Sequence, residues 1–136
     1  MAATARRRAM LTATRTTTIL PVSDPDRASH FYTDQLGLTP IGGAGDGTRL
    51  FELGRGDVLG LMPAEEGAQS GHTVLSFEVD DLEAEMGDLQ RRGVRFEDYD
   101  LPDLKTVNHV AVLGSEKAAW FHDSEGNVLC LHEVTG

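Results

Sequence analysis

The chain has 136 residues, of which 40% are hydrophobic, so it can bury the core of one ordinary domain or of two small units that share a core. Twelve Lys and Arg residues against 22 Asp and Glu residues give a net charge of -10, which argues against nucleic acid and anionic membranes as partners. One cysteine excludes an internal disulfide and no apolar run approaches the roughly 20 residues of a membrane span, so we expect a cytoplasmic protein.

Residues 1–14 are rich in Ala, Thr and Arg without a period, which predicts a flexible basic tail, and Met10 is an alternative start. Residues 15–136 are predicted to form a single domain of two modules, residues 15–66 and residues 70–135.

The first module opens with an alternating run that predicts a half-buried strand, in which every second residue points the same way. A helix follows, with Asp24 suited to the N-cap, Pro25 to the first helical position and Gly37 to the left-handed residue that ends it. The predicted buried face of this helix consists of Ala28, Phe31 and Tyr32.

The second module repeats this plan of a strand followed by a helix. Its strand shows the same alternation, and Asp80 and Glu83 are spaced as a capping box at the start of the helix. Gly93 is predicted to end that helix. Its predicted buried stripe is Leu82, Met86 and Leu89.

An internal repeat relates the two modules. Residues 51–61 overlay residues 121–131 with a constant offset of 70, which aligns the hairpin glycines Gly56 and Gly126. The first strands are offset by only 57, so the second module carries 13 extra residues, most of which we place in residues 100–116. The repeated unit is therefore a strand, a helix and three strands.

Resemblance to a known family rests on three stretches, VSDPDRASHFYTDQLGL, HTVLSFEVDDLEA and AWFHDSEGNVLCL. They resemble the vicinal oxygen chelate superfamily, which includes glyoxalase I, extradiol dioxygenases and the bleomycin-resistance proteins. The resemblance covers residues 16–134 and implies an α+β fold, in which two βαβββ modules form curled mixed sheets around a cleft. It fixes no reaction, because the scaffold hosts isomerases, dioxygenases, lyases and drug-binding proteins.

The metal-binding members of this superfamily carry ligands seven residues before the aspartate that opens each helix and four residues after each hairpin glycine. In this sequence those four positions are Thr17, Gly60, Val74 and Cys130. A divalent metal would require His, Gln or Glu there. The resemblance therefore implies a protein without a metal or other cofactor, closest to the bleomycin-resistance branch.

The stretch WFHDSEGNVLCLHE, residues 120–133, concentrates histidine, cysteine and carboxylate side chains. Because side chains alternate along a strand, Val128, Cys130 and His132 are predicted to share one face. The intervening DSEGN is typical of a tight turn in which polar side chains cap backbone groups and Gly126 has positive φ.

The same alternation predicts which side chains line the cleft. They form an apolar and aromatic surface with a few polar tips, suited to a flat or bulky organic ligand, and Gly60 is expected to leave room. Trp120 has an alternative position in the core beside Phe121. The predicted ligand-binding residues are Thr17, Leu50, Glu52, Gly60, Met62, His72, Val74, Ser76, Trp120, His122, Cys130 and His132.

Two chemical alternatives involve Cys130. With His72 and His132 it would form a soft metal site, although no two of these residues have a recognised metal-site spacing. As a nucleophile it would need a nearby histidine and a lowered thiol pKa. Its neighbours along the strand are apolar, which favours a buried and unreactive cysteine.

Three functions are consistent with the sequence. The first is a metal-free protein that sequesters a hydrophobic or aromatic natural product, as in antibiotic resistance. The second is an enzyme on the same scaffold, such as a lyase, an isomerase, a dioxygenase or a biosynthetic tailoring enzyme, with an irregular metal site or none. The third is an interaction module without a small ligand, which the apolar cleft disfavours. The resemblance also implies a homodimer with sites between modules of both chains.

Overall fold

The structure, a computed structural model, describes residues 11–136. The first half contains β1 (Thr17–Val22), α1 (Pro25–His30), β2 (Thr39–Gly43), β3 (Arg49–Glu52) and β4 (Val58–Pro63). The second half contains β5 (Thr73–Glu78), α2 (Leu82–Arg91), β6 (Asp100–Leu101), β7 (Leu104–Lys105), β8 (Ala111–Leu113), β9 (Glu116–His122) and β10 (Val128–Val134). Residues 1–10 of the predicted tail lie outside the described residues. Between residues 11 and 136, no helix has the length and apolar character needed to span a bilayer.

Helix α1 begins as its sequence predicts. The Asp24 carboxylate accepts a hydrogen bond of 3.0 Å from Arg27 N, and Pro25 occupies the first helical position. A π-helical turn, Phe31–Gln35, extends the helix. Gly37 then takes a φ of 74°, the left-handed conformation predicted for it.

Helix α2 is capped one residue later than predicted. The N-cap is Asp81, whose carboxylate accepts a hydrogen bond of 3.1 Å from Ala84 N, so the capping box assigned to Asp80 and Glu83 is wrong. The Leu82 N–H, which has no partner within the helix, donates to Glu133 Oε1 on β10 at 2.8 Å. The predicted stripe of this helix is buried, at Leu82, Met86 and Leu89.

The two halves form two four-stranded sheets with equivalent strand orders. The first sheet runs β1-β4-β3-β2 and the second β5-β10-β9-β8. In each sheet the first and last strands of the half pair in parallel, and the other neighbours pair antiparallel. This topology confirms the predicted α+β fold. The extra residues of the second half include a separate two-stranded ribbon of β6 and β7.

One face of each sheet packs with the helices into a shared hydrophobic core. Tyr32 and Phe51 from the first half and Phe121 and Leu129 from the second are at most 2% exposed. The Tyr32 and Phe51 rings lie with their centroids 6.2 Å apart. Because the core draws on both halves, neither half buries its apolar face alone.

The turn between β9 and β10 has the predicted tight geometry, with Gly126 at a φ of 92°. Asp123 Oδ1 accepts hydrogen bonds from Glu125 N at 2.8 Å and Asn127 N at 2.9 Å. Unlike in an ordinary surface turn, Asp123, Glu125 and Asn127 are buried, and the Glu125 side chain is 0% exposed. The turn therefore does more than reverse the chain.

Glu125 reaches from this turn to the N-terminus of α1 in the other half. Its Oε1 accepts hydrogen bonds from Ser23 N at 3.1 Å and Asp24 N at 2.9 Å, and its Oε2 lies 2.8 Å from Arg27 Nε. The Arg27 hydrogen bond is the largest cause that lowers the pKa of the Glu125 carboxyl, to about 2, while burial acts in the opposite direction. We call this set of contacts the Glu125 lock.

Two further contacts of the turn cross between the halves. The Tyr32 hydroxyl donates to Asp123 Oδ2 at 2.6 Å, and Asn127 Nδ2 donates to Pro21 O at 3.0 Å. Burial, followed by the Asp123 charge, raises the pKa of Tyr32, so its hydroxyl stays protonated and remains a donor.

The Glu125→Gln variant should be less stable than the parent protein by about 2 kcal/mol at neutral pH, because it removes the charge that Arg27 and the helix terminus stabilise. Since the pKa of Glu125 is lower in the folded chain than in the unfolded chain, this stabilisation is complete above about pH 5 and is lost as the pH falls towards 2. Urea unfolding at several pH values should show the difference between the two proteins shrinking as the pH falls. The matched control Glu65→Gln changes an exposed glutamate and should leave stability unchanged. A difference that does not vary with pH would contradict the electrostatic origin.

Candidate functional site

The sheet faces that point away from the helices carry most of the predicted site residues. Cross-strand partners share a face, so the register defines both surfaces. The first open face comprises Thr17, Ile19, Pro21, Leu50, Glu52, Val58, Gly60 and Met62. The second open face comprises Thr73, Ser76, Glu78, Trp120, His122, Val128, Cys130 and His132.

The first open face has less room than expected. A Cβ atom added at Gly60 would lie 2.8 Å from Ile19 Cδ1 and 3.1 Å from Thr48 Cγ2. These side chains already occupy the space above the glycine, so the expectation that Gly60 leaves room for a ligand is wrong. Of the predicted residues on this face, Thr17, Glu52 and Met62 are exposed and Leu50 is half-buried.

The start of β5 departs from simple alternation. A register shift between Val128 and Leu129 aligns Thr73 with Val128 and Leu75 with Leu129, which leaves Val74 between them. Val74 packs against the core, so its predicted place on the open face is wrong.

His72 also lies away from its predicted position on the strand. It precedes β5 in an exposed bend, where its ring hydrogen-bonds the Ser70 hydroxyl. Thr73 and Ser76, rather than His72 and Val74, are therefore the residues of β5 that join the second open face.

Trp120 stands on the second open face and not in the core. It is half-buried, whereas its neighbour Phe121 is 0% exposed among the core side chains. The indole Nε1–H donates to Thr73 Oγ1 at 3.1 Å, and the Tyr99 ring meets the indole edge to face with a centroid distance of 5.6 Å. Two contacts thus hold the indole in one orientation while part of it stays accessible.

Two histidines flank Trp120 along the face, each beside a carboxylate. His122 Nδ1 lies 3.1 Å from Glu97 Oε2. His132 Nδ1 lies 2.6 Å from Ser76 Oγ, and its Nε2 lies 3.7 Å from Glu78 Oε1. These groups can direct hydrogen bonds to a ligand that rests on the indole.

Cys130 lies between these groups but is 5% exposed. Burial is the main cause that raises the pKa of its thiol, and the Ser76 hydrogen bond opposes that effect. A raised thiol pKa disfavours the thiolate, so the geometry supports an unreactive cysteine.

Metal-ligating side chains come together at a different place from the one considered in the sequence. In the described part of the chain, one group of His, Cys, Asp or Glu side chains offers three ligand atoms within 4.8 Å, namely Asp81, Glu83 and Glu133. Lys117 Nζ lies 2.9 Å from Glu83 and 3.8 Å from Glu133, so a cation of the protein already pairs with two of the three carboxylates. The soft metal site of His72, Cys130 and His132 is not assembled.

Tyr99, Glu97, Thr73 and Glu78 belong to the site but were not predicted. Strand parity extended two residues beyond Ser76 would have found Glu78, whereas the bulge concealed Thr73. Tyr99 and Glu97 come from the irregular segment before β6, which has no period to reveal its direction. Glu97 N donates to Trp120 O at 2.8 Å, and this contact joins the segment to β9.

The family comparison agrees with this architecture. A model of the Glyoxalase/Bleomycin resistance protein/Dioxygenase superfamily matches residues 14–131. Among curated proteins, none matches the sequence.

Solved structures share the fold at low sequence identity. TnmS3, an antibiotic binding protein from Streptomyces sp. CB03234, is 24% identical with a TM-score of 0.67, over 93% of this chain and 100% of that one. A superfamily member from Sphaerobacter thermophilus DSM 20745 is 22% identical with a TM-score of 0.69, over 90% and 98% of the two chains. FosX, a fosfomycin resistance protein from Listeria monocytogenes, is 14% identical with a TM-score of 0.66, over 93% and 94%.

Identities this low establish a likeness of fold alone. The family model spans nearly the whole described chain, and the two repeated sheets supply the corresponding architecture. The chain therefore belongs to the Glyoxalase/Bleomycin resistance protein/Dioxygenase superfamily.

Proposed function

We propose that this protein binds a planar hydrophobic or aromatic small molecule on its second open face, without a metal, and so sequesters it. The observation that carries this proposal is the placement of Trp120, half-exposed and held by Thr73 and Tyr99. An aromatic ring fixed before binding loses little conformational freedom when a ligand stacks on it. Ser76, His122 and His132 supply polar groups around the ring.

We propose that the ligand is an antibiotic-like natural product, the class of compound that resistance proteins sequester. TnmS3, which shares the fold, is an antibiotic binding protein, and this makes an antibiotic-like natural product the first class to test. The chemistry of the second open face supports the same choice, because an indole with a few directional polar groups suits a polycyclic compound. We place this activity in the cytoplasm.

A homodimer would complete the site. Two cavities of about 730 and 760 Å³ lie beside α2, away from Trp120, so the described chain presents its indole on a surface rather than inside either of them. Ile19 is 46% exposed and Met62 is 39% exposed on the first open face. Pairing of two chains about a twofold axis would cover these apolar side chains and enclose the ligand between modules.

Replacing Trp120 with alanine should weaken the binding of planar tricyclic compounds, such as the acridine dye proflavine, by tenfold or more, since one lost aromatic anchor of about 1.4 kcal/mol is a factor of ten. Dye fluorescence titration measures this effect in both proteins. In the parent chain, quenching of its single tryptophan provides a second signal. The variant should lose less stability than the roughly 3 to 5 kcal/mol expected for a buried aromatic residue.

The matched control is Phe121→Leu, one residue further along β9 and on the core side. It should lower the unfolding free energy by about 1 to 2 kcal/mol and leave the affinity of the folded protein unchanged. If Trp120→Ala were strongly destabilised yet bound the dye normally, Trp120 would not belong to the binding site.

The assembly is tested by light scattering at micromolar concentration, where we expect twice the monomer mass. Met62→Glu places a charge on the first open face and should shift the population towards the monomer. Leu101→Glu changes another exposed apolar residue, 54% exposed on β6, and should leave the dimer intact. A monomer mass for the parent protein would contradict the proposed dimer.

Elemental analysis after dialysis should find only substoichiometric Zn, Ni, Fe or Mn, because the positions Thr17, Gly60 and Val74 offer no imidazole or carboxylate. Stoichiometric metal that disappears in a His132→Ala variant would overturn the metal-free proposal.

A further inference from the structure

Three side chains on the second open face form a connected series. Parallel pairing of β5 and β10 aligns His132 with Glu78 and Cys130 with Ser76, so the imidazole lies beside both the hydroxyl and the carboxylate. Ser76 Oγ is 2.6 Å from His132 Nδ1, and Glu78 Oε1 is 3.7 Å from His132 Nε2. A serine, a histidine and a carboxylate in this order are the elements of an activated hydroxyl.

The three side chains differ in accessibility, and the Glu78 side chain is 67% exposed. The His132 side chain is 22% exposed, whereas Ser76 is exposed to the open face. Glu78 Oε1 lies beyond hydrogen-bond distance of Nε2, so it acts on the imidazole through its charge alone. In the tautomer with the proton on Nε2, Nδ1 is the acceptor for the Ser76 hydroxyl. The hydrogen bond to Ser76 orients the imidazole, and the hydroxyl oxygen remains within reach of a bound molecule.

We propose that Ser76 is a nucleophile that accepts an acyl group from an aryl ester, with His132 as its base and Glu78 as a positioning residue. Ser76 Oγ forms a bond to the carbonyl carbon, and its proton passes to His132 Nδ1. The bond between that carbon and the aryl oxygen breaks, and the leaving oxygen takes the proton from His132. The products are acyl-Ser76 and a phenol, with no other reactant needed.

The position of Trp120 selects the aryl ester as the substrate class. Cys130 pairs with Ser76 on one side and with Trp120 on the other, so Ser76 and the indole are separated by two strand spacings, roughly 10 Å. A substrate with an aromatic leaving group can lie between them. This nucleophile goes beyond ligand sequestration and does not depend on it, because the Ser76 series is formed without Trp120.

A second serine–histidine pair in the same chain provides an internal control. The Ser70 hydroxyl contacts His72 Nδ1, but no carboxylate forms an ion pair with His72 among the residues that the structure describes. A chance hydrogen bond between serine and histidine would therefore give Ser70 and Ser76 equal reactivity, whereas the proposal assigns the activity to Ser76 alone.

The experiment incubates the full chain with p-nitrophenyl acetate and, separately, with an alkyl fluorophosphonate, and locates the adduct by peptide mass spectrometry. We expect one adduct on Ser76 and none on Ser70. Ser76→Ala should lose it, while Ser70→Ala should keep it. His132→Gln should slow acylation about a hundredfold at an unchanged melting temperature. Glu78→Gln should slow it less, and Glu78→Asp should retain most of the rate.

Equal labelling of the two serines, no adduct on Ser76, or an unchanged rate in His132→Gln would each overturn the proposal. Trp120→Ala separates this outcome from the binding function. It should slow reaction with the aryl ester but not with the alkyl fluorophosphonate, which has no ring to stack. If Trp120→Ala loses dye binding but its Ser76 is still labelled by the fluorophosphonate, both proposals are supported. If the parent protein binds the dye but its Ser76 is not labelled, only the proposed nucleophile is overturned.

Discussion

The docking of the two halves of this protein depends on the contacts of the Glu125 carboxylate. A charge with no solvent exposure carries a large desolvation penalty unless donors surround it. Here the donors are the backbone amides of Ser23 and Asp24, just before α1, together with Arg27 and the Ser23 hydroxyl. The first half supplies these donors and the second half supplies the carboxylate, so the ion is satisfied only when the halves are docked.

The contact made by Glu125 has no counterpart at the equivalent position of the internal repeat. The residue equivalent to Glu125 in the first half is Arg55, which is exposed and lies at the tip of its turn with a φ of 64°. Across from that turn, the first amide of α2 is satisfied by Glu133 from its own sheet. Helix α2 therefore needs no carboxylate from the other half, and a cavity of about 760 Å³ separates Arg55 from its N-terminus. The N-termini of the helices in the two similar modules are therefore capped in different ways.

Docking of the halves through their helices leaves the opposite sheet faces free for function. The second open face uses that freedom to combine an oriented indole with polar groups, while the first is filled above Gly60 by Ile19 and Thr48. The asymmetry favours the second face as the place where a ligand is recognised. The four positions that the family resemblance compares with metal ligands, Thr17, Gly60, Val74 and Cys130, take no part in the Glu125 lock.

The sequence by itself determined the α1 cap and the turn at Gly126, because each depends on residues close together in the chain. Comparison of its two halves revealed the repeat, and its resemblance to a family implied the fold class. Strand period also placed Trp120, Ser76, Cys130 and His132 on one face. Only the tertiary structure decided the rest. A bulge at Val74 changed which residues of β5 lie on the second open face. A one-residue shift in register moves every side chain before the bulge to the opposite face of the sheet, so Thr73 lies there instead of Val74. The burial of Glu125 and the approach of Tyr99 to Trp120 join segments 98 to 102 and 21 residues apart in sequence. Such contacts follow from how the packed halves fit together, and no local pattern encodes that fit.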